Sequence, residues 1–102
     1  MPVFRTKKEA FGWLVSGKKT IDVRRGNSYR GEFAVYLSGR NVLKMKITKR
    51  ETGRLEEVVR LDNYRLVIPT ALILDDAIAY LRGLYFGYAG VFSAYYVSPL
   101  EI

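Results

Sequence analysis

The sequence predicts an α+β fold: a small, mostly antiparallel β-barrel of about five to six strands carrying two main helices. Three observations lead there. Helical periodicity occurs near both ends of the chain, and short alternating segments bounded by turn residues fill the stretch between. The length of 102 residues suits one core, so residues 1–102 are read as a single domain.

In chain order, Thr6 and Glu9 have the spacing of a capping box, in which each side chain satisfies a backbone donor of the other residue. The helix that follows is expected to reach about Val15, with Ala10, Phe11, Leu14 and Val15 on its buried face and Trp13 at the margin. Gly17 suits a left-handed stop. Thr20 to Arg24 alternates, with Ile21 and Val23 on one face and Thr20, Asp22 and Arg24 on the other. After a turn at Gly26-Asn27-Ser28, a strand is expected over Phe33–Leu37, then a hairpin loop at 38–41.

Val42–Lys49 is the clearest strand, turning Leu43, Met45 and Ile47 inward and Lys44 and Lys46 outward. Residues 50–68 admit two readings: a short helix capped by Thr52, or two strands about an Asp62-Asn63 turn. Pro69 marks a break. A second helix is expected from about Leu72 to Tyr85, on the stripe Ile73, Ala77, Ile78, Leu81 and Leu84, with Asp75 and Asp76 complementing its dipole. Val91–Val97 closes the fold as a strand that Pro99 ends.

Composition narrows the chemistry. There is no cysteine and no histidine, which removes disulfides, thiolate chemistry, the commonest general base and the commonest transition-metal ligands. No metal and no cofactor is expected. Residues 1–9 are mostly polar, and no apolar run approaches the ~20 residues that span a bilayer. A cytoplasmic protein without a membrane partner follows, either a monomer or a weak homodimer through Tyr95-Tyr96. The charge of +7 is lopsided, because residues 1–51 hold thirteen Lys/Arg against four Asp/Glu and residues 52–102 hold four against six. That asymmetry points to an anionic partner for the N-terminal half, nucleic acid above all; a solubility charge is the plain alternative.

The densest stretch is Ser16-Gly17-Lys18-Lys19-Thr20-Ile21-Asp22-Val23-Arg24. Placed after a helix, followed by Gly31-Glu32 ahead of a strand, by a helix ending at Tyr85 and by a Gly90-Val91 entry to the last strand, it resembles the ASCH (activating signal cointegrator homology) domain of the PUA-like superfamily. The resemblance spans nearly the whole chain, although its specific part is residues 16–24. It implies a barrel with a cleft at the helix–strand junction, and RNA binding. In the family's Gly-x-Lys-Thr-x-Glu-x-Arg segment, Gly17, Lys19, Thr20 and Arg24 match as they stand. Asp22 takes the glutamate's place, one methylene shorter, and Gly31-Glu32 stands where Gly-Asp is usual.

A bacterial branch of the family is similar to small amidohydrolases acting on acylated cytidine, with a lysine, a threonine and a glutamate. Lys19 falls on the lysine, Asp22 falls where the threonine would be, and residues 50–68 offer no match for the glutamate. An aspartate does not replace a hydroxyl nucleophile.

From the residues alone, a lysine and an arginine held by an in-strand carboxylate are positioned to take a phosphate or a base edge. The expected RNA or nucleotide-like ligand would meet Lys18, Lys19, Thr20, Asp22, Arg24 and Arg25, with Arg30, Lys44 and Lys46 widening the rim. Tyr29, Tyr36 and Tyr88 are candidates to stack a base. An Asp–Arg pair closing one end of a barrel, and tyrosines serving as packing, are the structural alternatives. If the protein is instead an enzyme, a hydrolase of acylated cytidine or a weak ribonuclease, Lys19 would be the base and Asp22 or Glu32 would assist.

Overall fold

The structure, a computed structural model, describes residues 1–100. Its elements in order are β1 (Val3–Arg5), α1 (Lys8–Ser16), β2 (Ile21–Arg25), β3 (Phe33–Ser38), β4 (Asn41–Gly53), α2 (Leu55–Val58), α3 (Tyr64–Val67), α4 (Leu74–Leu84) and β5 (Phe92–Pro99). The five strands make one sheet in the order β1-β3-β4-β5-β2, antiparallel except for the β1–β3 pair. This is the α+β, mostly antiparallel architecture that the alternation predicts.

The sheet curls because β4 is long and bulged. Its first half pairs with β3 and its second half with β5, and the register slips between Ile47 and Lys49. An extra residue there bends the strand and increases its twist, turning the sheet into a half-barrel. No backbone ladder joins the two edge strands, β1 and β2. Arg24 of β2 reaches across instead, donating from Nη1 to the Arg5 carbonyl at 2.8 Å and from Nη2 to Thr6 Oγ1 at 3.2 Å. The barrel is closed along this seam by one guanidinium.

Two cores flank β2. Ile21 and Val23 pack with Leu55, Val58, Val67, Ala77 and Leu81 beneath the helices, while Phe4, Leu14, Tyr36, Met45, Tyr95 and Val97 fill the barrel. The strand is therefore covered on both faces, and its polar row, Asp22 and Arg24, turns toward the barrel interior.

Several expectations need correction. The Thr6–Glu9 capping box does not form: α1 begins two residues after Thr6, whose hydroxyl serves the Phe4 carbonyl and Arg24 instead. Val15 lies on the outer face at 62% exposure, leaving Leu14 as the buried anchor. Gly17 does end the helix, at φ 78°. In residues 50–68 neither reading holds whole, because β4 runs on to Gly53 and two one-turn helices follow. The first starts after Arg54, whose N–H donates to Glu57 Oε1 at 2.8 Å, and not at a Thr52 cap. On α4, Ile73 and Leu84 are exposed and Ala77 and Leu81 carry the packing. Tyr95 is wholly buried and not on an exposed face, while Tyr96 is half-buried with its hydroxyl donating to Glu51 at 2.7 Å. Among the described residues, no helix is long and apolar enough to cross a membrane.

Candidate functional site

The link between α1 and β2 places Lys19. Its backbone N–H donates to the Trp13 carbonyl at 3.1 Å, and that of Thr20 donates to the Leu66 carbonyl at 3.1 Å, which ties the link to α1 and α3. The Lys19 side chain turns inward to 4% exposure and donates to the Val67 carbonyl at the end of α3. Its Nζ stands 4.0 Å from Asp22 Oδ1, while Arg24 Nε donates to Asp22 Oδ2 at 2.7 Å. One carboxylate thus lies between two cations, itself only 4% exposed.

The electrostatics follow from burial. Desolvation pulls the Lys19 amine down to about 8; Asp22 opposes the fall and Arg24 adds to it. For Arg24, burial is outweighed by the charge of Asp22 and the hydrogen bond to it, and its pKa rises. Its guanidinium lies over the Phe4 ring at 4.6 Å, a stacked cation–π contact. Behind it Tyr36 is wholly buried, and burial together with the Asp22 charge pushes its hydroxyl far up, holding it as a neutral O–H. That oxygen has no hydrogen-bond partner among the described residues.

Above the Lys19–Asp22 pair, the seam opens into a cavity of about 430 Å³. Its polar lining is Arg5, Thr6, Lys7, Lys19, Asp22 and Arg24, and its aromatic walls are Trp13, Tyr80 and Tyr85. Trp13 and Tyr80 meet at 6.2 Å between centroids, and the Tyr85 hydroxyl donates to the Val23 carbonyl at 3.3 Å. Such a volume falls in the range of about 300–1,000 Å³ typical of small-ligand sites. Among the described residues, Asp22 is the one carboxylate in the lining and already faces two cations, so they offer no ligand set for a divalent metal here.

Of the residues singled out from the sequence, Lys19, Asp22 and Arg24 come together in this cavity. Arg25 and Arg30 line a neighbouring hollow, whereas Lys18, Thr20, Lys44 and Lys46 line neither and so do not widen the rim. Glu32 is exposed at the foot of β3 and cannot assist Lys19. The stacking candidates are largely displaced. Tyr36 is core, and Tyr88 donates to the Val91 carbonyl at 2.7 Å with its ring edge-on to Phe92. Only Tyr29 is open, and it belongs to the neighbouring hollow. The aromatic residues lining the first cavity are instead Trp13, Tyr80 and Tyr85. Tyr80 reaches the cavity by packing against Trp13, and Tyr85 by its hydroxyl's bond to β2.

No protein-family model matches the sequence, and no curated protein matches it significantly. Among solved structures, the hypothetical protein PH0355 superposes with a TM-score of 0.77 at 17% identity, over 96% of this chain and 97% of that one. Two mutant forms of ZmASCH from Zymomonas mobilis superpose with TM-scores of 0.68 and 0.67, at 17% and 16% identity. They cover 94% and 98% of this chain, which spans 66% and 74% of theirs. At such identities the likeness establishes the fold alone, the half-barrel that this chain shares with PH0355 and ZmASCH.

Proposed function

We propose that this chain binds single-stranded RNA, or a nucleotide-sized fragment of it, by taking a base into the cavity above Lys19 and Asp22. The observation that carries this reading is the cavity's composition. Lys19 and Asp22, a donor and an acceptor each 4% exposed, stand in its polar lining, and three aromatic rings stand around them. A base edge that both accepts and donates matches that ammonium–carboxylate pair, and its faces match aromatic walls. Stacking of this kind contributes about 1–3 kcal/mol per base. The fold shared with ZmASCH agrees with the RNA binding that the ASCH resemblance implies.

The chain's single tryptophan is Trp13, so a base entering the cavity must perturb its fluorescence. Titration with short single-stranded RNA at two salt concentrations is expected to quench Trp13, with affinity falling as salt rises. Binding that leaves Trp13 unchanged, or that survives Lys19→Ala combined with Arg24→Ala, sinks the reading.

One observation favours a second reading. An amine held near 8 by burial is partly uncharged at neutral pH and able to accept a proton from water. A hydrolase of acylated cytidine or a weak ribonuclease would use it so. Among the described residues, the lining supplies no glutamate beside it. Product release from acylated cytidine or from RNA, abolished by Lys19→Ala, would establish this alternative; no turnover leaves the binding module.

A further inference from the structure

A second hollow, of about 560 Å³, opens on the same seam and shares Arg24 and Tyr85 with the first. Its character differs. It is lined by Arg24, Arg25 and Arg30 together with Phe4, Tyr29 and Tyr85, and no carboxylate lines it among the described residues. Arg25 and Arg30 are exposed and make no side-chain hydrogen bond or ion pair among the described residues. Arg24 commits three of its five N–H groups, to Asp22, Arg5 and Thr6, and two remain. The loop that carries Tyr29 and Arg30 is fixed from below. The Tyr29 N–H donates to the Tyr95 hydroxyl at 2.9 Å, and Arg50 donates to the Tyr29 carbonyl at 3.0 Å and to the Gly31 carbonyl. Tyr29 is left 59% exposed. Arg25 and Arg30, unpaired among the described residues, together with the two spare N–H groups of Arg24 and an open ring on a pinned loop, form a site for a phosphate with a planar group attached.

We propose that this second hollow binds the phosphodiester linking a base in the first cavity to the next nucleotide, whose base stacks on Tyr29. The ligand is then a single-stranded oligonucleotide of at least two nucleotides lying along the β1–β2 seam, not a free nucleoside. This rests on the reading that the first cavity takes a base.

The four ribonucleosides and the dinucleoside monophosphates built from them separate the two claims when titrated against Trp13 fluorescence. The dinucleotide is expected to bind at least about tenfold tighter than its nucleoside, as stacking and one charged contact together supply. Its affinity should fall with salt at a log–log slope near −0.7, the value for about one phosphate contact to a single strand, while that of the nucleoside stays flat. Arg25→Ala combined with Arg30→Ala should collapse the ratio toward one and flatten the slope. Lys44→Ala combined with Lys46→Ala, on the outer face of β4, should leave both unchanged. Nucleoside binding with no gain for the dinucleotide, or a gain that survives the double arginine variant, overturns the second subsite alone. Absence of binding by either ligand overturns both readings.

Discussion

Replacing Lys19 by methionine should stabilise this protein near neutral pH, because the buried ammonium costs more than its contacts return. Its pKa is about 8 in the folded chain against 10.5 for a free lysine. At about 1.36 kcal/mol per unit, holding the proton on the folded protein at pH 7 costs about 3 kcal/mol. Methionine removes that penalty but leaves the Val67 carbonyl without its donor, a loss of about 1–2 kcal/mol. The net gain near pH 7 is about 1–2 kcal/mol, or a Tm rise on the order of 4–8 °C per kcal/mol in a chain of this size.

The pH dependence is the sharper signature. Between the two pKa values the unfolded chain holds a proton that the folded chain releases, so wild-type stability climbs as pH rises through that window. From about pH 7 to about pH 9.5 the Lys19 penalty shrinks by about 2 kcal/mol. Buried tyrosines with raised pKa values act in the opposite sense near pH 10, but equally in both proteins. The difference between methionine variant and wild type, measured by urea denaturation followed by circular dichroism, should therefore fall by about 2 kcal/mol across that range. A difference that stays constant with pH, or a variant less stable at pH 7, refutes the claim that Lys19 is held inside against its solvation.

Arg24→Ala removes the seam's one tie and leaves the Asp22 carboxylate without its closest partner, so a loss of about 2–4 kcal/mol in urea denaturation is expected. Arg24→Lys should recover little of it, because an ammonium cannot reach Asp22, Arg5 and Thr6 together. On α1, Leu14→Ala should cost about 2–4 kcal/mol, whereas Val15→Ala stays within about 0.5 kcal/mol. Equal costs by thermal unfolding would contradict the face assigned to this helix. Gly39 holds the β3–β4 hairpin at φ 58°; Gly39→Ala should cost about 1 kcal/mol in the same assay, since alanine resists that conformation.

The local patterns legible in the sequence are those whose periodicity closes within one element. Ile21 and Val23, Met45 and Ile47, and Ala77 and Leu81 all face the cores that their spacing predicts. The elements that escaped are made by partners far along the chain. Val3–Arg5 is too short to announce itself and becomes a strand by lying parallel to Val35–Leu37. The bulge after Ile47 breaks the alternation that would have carried β4 on to Gly53.

The candidate site divides in the same way. Lys19, Asp22 and Arg24 are grouped within six residues and stand out in the sequence. Their burial does not, because it depends on the Val67 carbonyl and on a barrel interior that takes the polar face of β2. The aromatic walls come from α1 and α4, and Trp13 and Tyr80 are joined only by packing across 67 positions of chain (80 less 13).

The most direct test of the central claim is a two-dimensional amide and indole NMR spectrum recorded as short single-stranded RNA is added. The Trp13 indole and the amides of Lys19, Asp22, Arg24 and Tyr85 should move together and most strongly. Shifts concentrated instead on the outer face of β4 around Lys44 and Lys46, with Trp13 stationary, would reduce the interaction to general attraction by a basic surface and contradict a base in the Lys19 cavity.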